Sequence, residues 1–208
     1  MADESPYKGL RSSSWAAKTD ELVTHHPLDD AELVEVVQQA WSDVFSSKFG
    51  SKPFEIGVDL FPKPQILAFL LHELIPLELN RRHPCLWRGD TSATEKDLVH
   101  IPDQSRSVEI KASSNPSLIF GNRSYAQKRG AAKKGKGTRQ AKKSKSGYVL
   151  AINFEALSPS NPKPRITMIR FGWLDHSDWR GQRAATGQQA SLPPNVLTGK
   201  LKTLYARE

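Results

Sequence analysis

The stretch EKDLVHIPDQSRSVEIKAS (95–113) holds three residues whose types and spacing suit metal-assisted chemistry: Asp97, Glu109 and Lys111. Asp97 opens an alternating run to Ile101, Pro102 to Arg106 is turn-like, and Val108 to Ala112 alternates again. That pattern predicts a β-hairpin. Residues 109 and 111 are two apart, so both side chains leave one face of the returning strand, and the hairpin brings Asp97 opposite them. Two carboxylates with the Ile110 carbonyl and waters make a hard oxygen site suited to Mg²⁺. Such an ion polarises a phosphodiester and helps generate hydroxide. Lys111 is placed to orient or deprotonate the attacking water and to stabilise the added negative charge. The same residues also fit the solvated face of an ordinary charged hairpin. Asp90 and Asp103 compete for the role of Asp97, although Asp103 sits in a turn, where aspartate has a local task.

The composition limits what surrounds this hairpin. At 208 residues, 38% hydrophobic and 25% charged, the chain fits one soluble domain with a sizeable core. No apolar run reaches membrane-spanning length, and the start, MADESPYKGLRSSS, lacks a signal-peptide core. A lone cysteine, Cys85, excludes an internal disulfide and suits a reducing, cytoplasmic location. Net charge is +8, and it is concentrated. Between Glu109 and Glu155 there is no acid, while Lys128, Arg129, Lys133, Lys134, Lys136, Arg139 and further lysines crowd together. A one-signed field of that density attracts a polyanion, and nucleic acid is the leading candidate.

The elements that must hold the hairpin follow from periodicity. Residues 1–27 are expected to be a flexible segment, with a short helical piece near Trp15 to Leu22. Asp29 and Glu32 resemble a capping box, and Leu33, Val37, Ala40, Trp41 and Val44 recur at helical spacing, predicting a helix to about Ser47. A second helix starts near Pro64, packs Ile66, Leu67, Leu70, Leu71 and Leu74 inward, and bends or ends at Pro76. Residues 121–146 form a basic insertion dominated further on by Gly, Ala, Ser and Lys. GYVLAINFEAL (147–157) and RITMIRFGWL (165–174) are strands, and a closing helix is expected over 195–205. The whole predicts an α/β fold, a mixed sheet flanked by helices, as a single domain over 28–208.

Asp97 followed twelve residues later by Glu109-Ile110-Lys111 resembles the PD-(D/E)XK nuclease motif, with Lys96 where the proline usually stands. The segment SGYVLAINFEAL…ITMIRFGWLDHSDWRGQRAATGQQA also resembles the type II restriction endonucleases grouped with ScaI. This resemblance implies a restriction-endonuclease-like fold and a Mg²⁺-dependent homodimer. It also implies cleavage of both strands of a short palindromic duplex, AGTACT for the namesake, and a cognate DNA methyltransferase acting on the same site. Many relatives add an acid from the preceding helix; Glu73 is the first candidate and Glu78 the second. Two other readings stay open: a structure-specific repair or recombination nuclease of the same fold, and a non-catalytic basic nucleic-acid binder.

Base-edge reading favours Arg, Asn, Gln and Ser. Candidates lie in two places: Asn122, Arg123, Ser124 and Tyr125, and Arg180, Gln182, Arg183, Gln188 and Gln189. The lysines of 133–145 would grip phosphates. Gly130 to Gly137 nearly matches a P-loop but has Gly137 where Ser or Thr is required. His25, His26 and His72 read as surface or packing histidines, and Asp175-His176-x-Asp178 as a turn or DNA-reading element rather than a metal site.

Overall fold

In the computed structural model, residues 4–126, 144–182 and 189–207 are described. Helix α1 (Trp15–Thr24) precedes α2 (Asp30–Ser46), which begins where Asp29 accepts hydrogen bonds from the Ala31 and Glu32 amides. Glu32 does not complete the box; it pairs with His83 instead. A minimal hairpin, β1 (Lys48–Phe49) with β2 (Phe54–Glu55), leads to α3 (Pro64–Arg82). Helix α3 runs through Pro76 to Arg82, so of the two expectations, a bend or an end at Pro76, the end is ruled out. Buried Ile75 and Leu79 anchor its last turns, and Glu78 ties them to Arg81 and Arg82, offsetting the donor that proline lacks.

The main sheet has six strands in the order β11-β8-β7-β5-β4-β3. These are β3 (Trp87–Gly89), β4 (Leu98–His100), β5 (Val108–Ser113), β7 (Gly147–Phe154), β8 (Ile166–Leu174) and β11 (Leu201–Ala206). β5 and β7 are parallel and the other pairs antiparallel, so the sheet is mixed. A second sheet, ordered β6-β10-β9, holds β6 (Phe120–Asn122), β9 (Arg180–Gly181) and β10 (Gln189–Ser191).

Strand alternation sorts the core into two layers. Tyr148, Leu150, Ile152 and Phe154 of β7 pack with Leu33, Val37 and Trp41 of α2 and Leu67, Leu71 and Ile75 of α3. Val149 and Ala151 point the other way, into Ile119, Trp179, Ala190 and Leu197. Every residue of β7 is buried, as expected of a strand covered on both faces.

Three expectations change. The N-terminal stretch packs into the core from Tyr7 onward: Tyr7, Thr19, Val23 and His26 are all buried. Ile66 is exposed, because the inward stripe of α3 is Leu67, Leu71, Ile75 and Leu79. The expected closing helix is the short α4 (Pro194–Gly199) followed by edge strand β11, which pairs with β8. The crossing is tight: a Cβ on Gly172 of β8 would lie 2.2 Å from the Lys200 carbonyl oxygen. Among the described residues no helix is long and apolar enough to cross a membrane.

Candidate active site

The β4–β5 hairpin forms, with its connection wound into a 3₁₀ turn at Gln104–Arg106 that Asp103 caps through the Ser105 amide. Asp103 is thereby a turn residue, and Asp90 is exposed in the loop after β3. Leu98 pairs with Val108, so the next step of the antiparallel register sets Asp97 beside Glu109. Asp97 Oδ2 accepts from the Ile110 amide at 2.7 Å, and Lys111 Nζ donates to Glu109 Oε1 at 2.6 Å. The three side chains are largely buried: 15% exposed for Asp97, 4% for Glu109 and 14% for Lys111. Glu109 and Lys111 leave the same face of β5 as the cross-strand partners Val149 and Ala151.

Two further groups join this cluster. Lys96 Nζ lies 3.9 Å from Glu109 Oε2 and donates to the Ser144 carbonyl at 2.7 Å. Its stem packs on Gly147, whose φ of +141° and lack of a Cβ leave it room. His72 of α3, expected as a surface or packing histidine, places Nδ1 3.7 Å from Asp97 Oδ2. A lone histidine in an apolar helix gave no signal of this. Lys96 was legible only as the departure from proline. The loop feeding Asp97 is fixed by Glu95, whose carboxyl Arg88 and the Thr91 amide hold down to about 2.

Helix α3, the end of β5 and the second sheet enclose a cleft of about 630 Å³. Gln65, Ala68 and His72 line one side, Lys111 the floor, and Asn115, Asn122 and Gln189 the other. The two stretches chosen for base reading meet here, because Asn122 and Gln189 are cross-strand partners in β6 and β10. Gln182 Nε2 donates to Gln189 Oε1, and Arg180 pairs with Ser191. Ser124 is exposed in the turn after β6, next to the half-buried Arg123. Tyr125 lies in the same turn. Lys128, Arg129, Lys133, Lys134, Lys136, Arg139, Arg183 and Gln188 lie outside the described residues.

Neither helix acid joins the cluster. Glu73 is exposed on the outward face of α3, and Glu78 is held to about 2 by Arg81 and Arg82. Asp175 and Asp178 form a capping box closed over the Lys200 ammonium, a structural lock as the turn reading anticipated.

The donor set at the hairpin suits a hard divalent cation: the buried Glu109 and partly buried Asp97 carboxylates, with the Ile110 carbonyl between Glu109 and Lys111. Among the described residues no group of three or more His, Cys, Asp or Glu side chains is positioned for a metal, so any ion there would also need water or substrate oxygens. An acid pair and an ammonium where a hairpin meets a parallel strand, the ammonium lining a cleft, on a mixed sheet covered by helices, define a protein of restriction-endonuclease-like architecture.

The comparison with known proteins is more particular. A model of the ScaI restriction endonuclease family matches residues 5–205. The type II restriction enzyme ScaI of Streptomyces caespitosus is 45% identical over 203 residues, covering 97% of this chain and 85% of that protein. The chain belongs to the ScaI restriction endonuclease family and is a type II restriction endonuclease. No solved structure matches it.

Proposed function

We propose that the protein binds double-stranded DNA in the cleft and hydrolyses one phosphodiester bond in each strand of a short palindromic site, with Mg²⁺ as cofactor. The observation that carries this reading is the convergence of Asp97, at the entry to β4, with Glu109 and Lys111 of β5 beside the cleft. Asp97, Glu109 and the Ile110 carbonyl would hold the ion, which when bound supplies a polarised phosphoryl oxygen and a more acidic water. Lys111 orients the attacking water and stabilises the charge that grows on the phosphate as the P–O bond breaks. The ion pair with Glu109 keeps its ammonium on the strand face where that charge develops. His72 steadies Asp97 from the α3 side.

The protein acts as a homodimer, since a palindrome presents the same half-site twice about a two-fold axis. Supporting this is an exposed apolar stripe on α3, Ile66, Phe69 and Leu77, continued by Val58 and Phe61 before it. The stripe runs on the same helix as the cleft-lining Gln65, Ala68 and His72, so pairing through it would set two clefts side by side. Asn122 and Gln189 are the base-edge contacts of each half-site, and the lysines of 133–145 engage phosphates. On this reading the site is AGTACT, protected in the cytoplasm by a cognate DNA methyltransferase without a stable complex. Incubating the protein with phage DNA and Mg²⁺, then sequencing the ends, tests all of this. Discrete fragments whose ends all map to AGTACT sites are expected; cleavage only of branched DNA, or none with any divalent ion, contradicts it.

A further inference from the structure

Arg170 of β8 is an unusual residue to find in the second core layer. It is 5% exposed, no carboxylate of the described residues pairs with it, and burial pushes its pKa down. A buried cation without a counter-charge is costly unless its donors are used for something specific. Its Nη2 donates to the Asn153 Oδ1 at 2.8 Å and to the Ser117 carbonyl at 2.8 Å, while Nε has no partner. Asn153 of β7 is fully buried, and its Nδ2 donates to the carbonyls of Asn115 at 2.7 Å and Leu118 at 3.1 Å. Three carbonyls of one turn are therefore captured by two side chains rooted in the central strands. The turn's own amides are held from the other side: Asn115 Oδ1 accepts from Ser117 and Leu118, and Ser113 Oγ accepts from Asn115.

This turn begins immediately after β5, the strand of Glu109 and Lys111, and leads into β6 with Asn122. Ser113, Ser114, Asn115 and Pro116 line the cleft. We propose that Asn153 and Arg170 are positioning residues: by fixing the carbonyls of Asn115, Ser117 and Leu118 from within the sheet, they preset the cleft wall that receives DNA. The proposal rests on the cleft being the DNA site. Neither residue reaches the reacting phosphate, so they act on duplex binding and not on the bond-breaking step.

Asn153→Asp separates this from a general role in the core. It preserves size and gives Arg170 a counter-charge, but it turns two donors into an acceptor facing two carbonyls. Arg170→Lys is the second variant, retaining the charge while reaching one acceptor in place of two. Both are assayed on a phage-DNA duplex carrying one mapped wild-type cut site. The measurements are Kd in Ca²⁺, kcat and KM in Mg²⁺, and Mn²⁺ binding to the protein without DNA. For Asn153→Asp, Kd and KM rise at least tenfold, kcat changes less than threefold and Mn²⁺ binding is unchanged. Arg170→Lys shifts the same two quantities in the same direction by less, and it decides alone if Asn153→Asp fails to fold. A folded variant with wild-type Kd and KM, or one whose loss lies in kcat alone, overturns the positioning role while leaving the function intact. A wild-type protein that binds no duplex overturns the reading of the cleft and this proposal with it.

Discussion

Two places in this molecule hold a pair of acids and a lysine, and they are built to opposite ends. At Asp175, Asp178 and Lys200 the ammonium donates to both carboxylates, at 2.7 and 2.8 Å, and lies over the rings of Tyr7 and Trp15. Ser5 adds a hydrogen bond to Asp175, so the N-terminal segment closes the lock. One ammonium is shared there by two carboxylates inside the protein, and burial raises the Asp178 carboxyl. At Asp97, Glu109 and Lys111 the charges are also largely buried, but the floor of the cleft includes Lys111, and His72 approaches Asp97 from α3. The difference teaches that residue types do not distinguish a lock from a candidate catalytic centre. What distinguishes them is whether the cation closes both acids off or leaves one side of the cluster open to a substrate.

The comparison breaks most visibly by removing one charged group from each. Asp97→Ala is expected to lower the cleavage rate by at least about 100-fold while leaving duplex binding within a few-fold, measured by plasmid cleavage and by gel shift in Ca²⁺. Lys200→Met strands two buried carboxylates and is expected to cost about 3–5 kcal/mol of stability, read from urea unfolding, with kcat per folded molecule unchanged. A loss of kcat there would erase the distinction between the two clusters.

A pH series sharpens it. Burial, with Arg106 and His100 nearby, depresses the pKa of His26 from 6.5 to about 4, despite its bond to the Arg106 carbonyl. Below about pH 6.5 the unfolded chain binds a proton that the folded chain refuses. Stability therefore falls as pH drops from 6.5 toward 4, by up to about 3 kcal/mol. Unfolding midpoints across that range should slope in the wild type and flatten in His26→Gln. The smallest effect is expected for Glu73→Ala: exposed on the outer face of α3, it should change cleavage less than threefold, and a loss as deep as that of Asp97→Ala would bring Glu73 into the cluster.

Local signals made much of this fold legible. The Asp29 cap, the helical spacing of Leu33 to Val44 and the mostly apolar run of β7 each appear as predicted, because each is decided within a few residues. The hairpin was also local, and with it the juxtaposition of Asp97 and Glu109. What stayed hidden depends on distant partners. Leu201 to Tyr205 carry a helix-compatible pattern, yet the free edge of β8 drew them into a strand. Tyr7 and Val23 gained their burial from a sheet made far along the chain. The meeting of Asn122 with Gln189, and of His72 with Asp97, follows from tertiary packing that no spacing encodes.

The most direct test is Lys111→Ala assayed on one duplex for both binding and cleavage. Duplex affinity in Ca²⁺ close to wild type, together with cleavage in Mg²⁺ reduced to the level without enzyme, is the predicted result. Cleavage at a rate near wild type would show that the chemistry happens somewhere other than the β4–β5 hairpin.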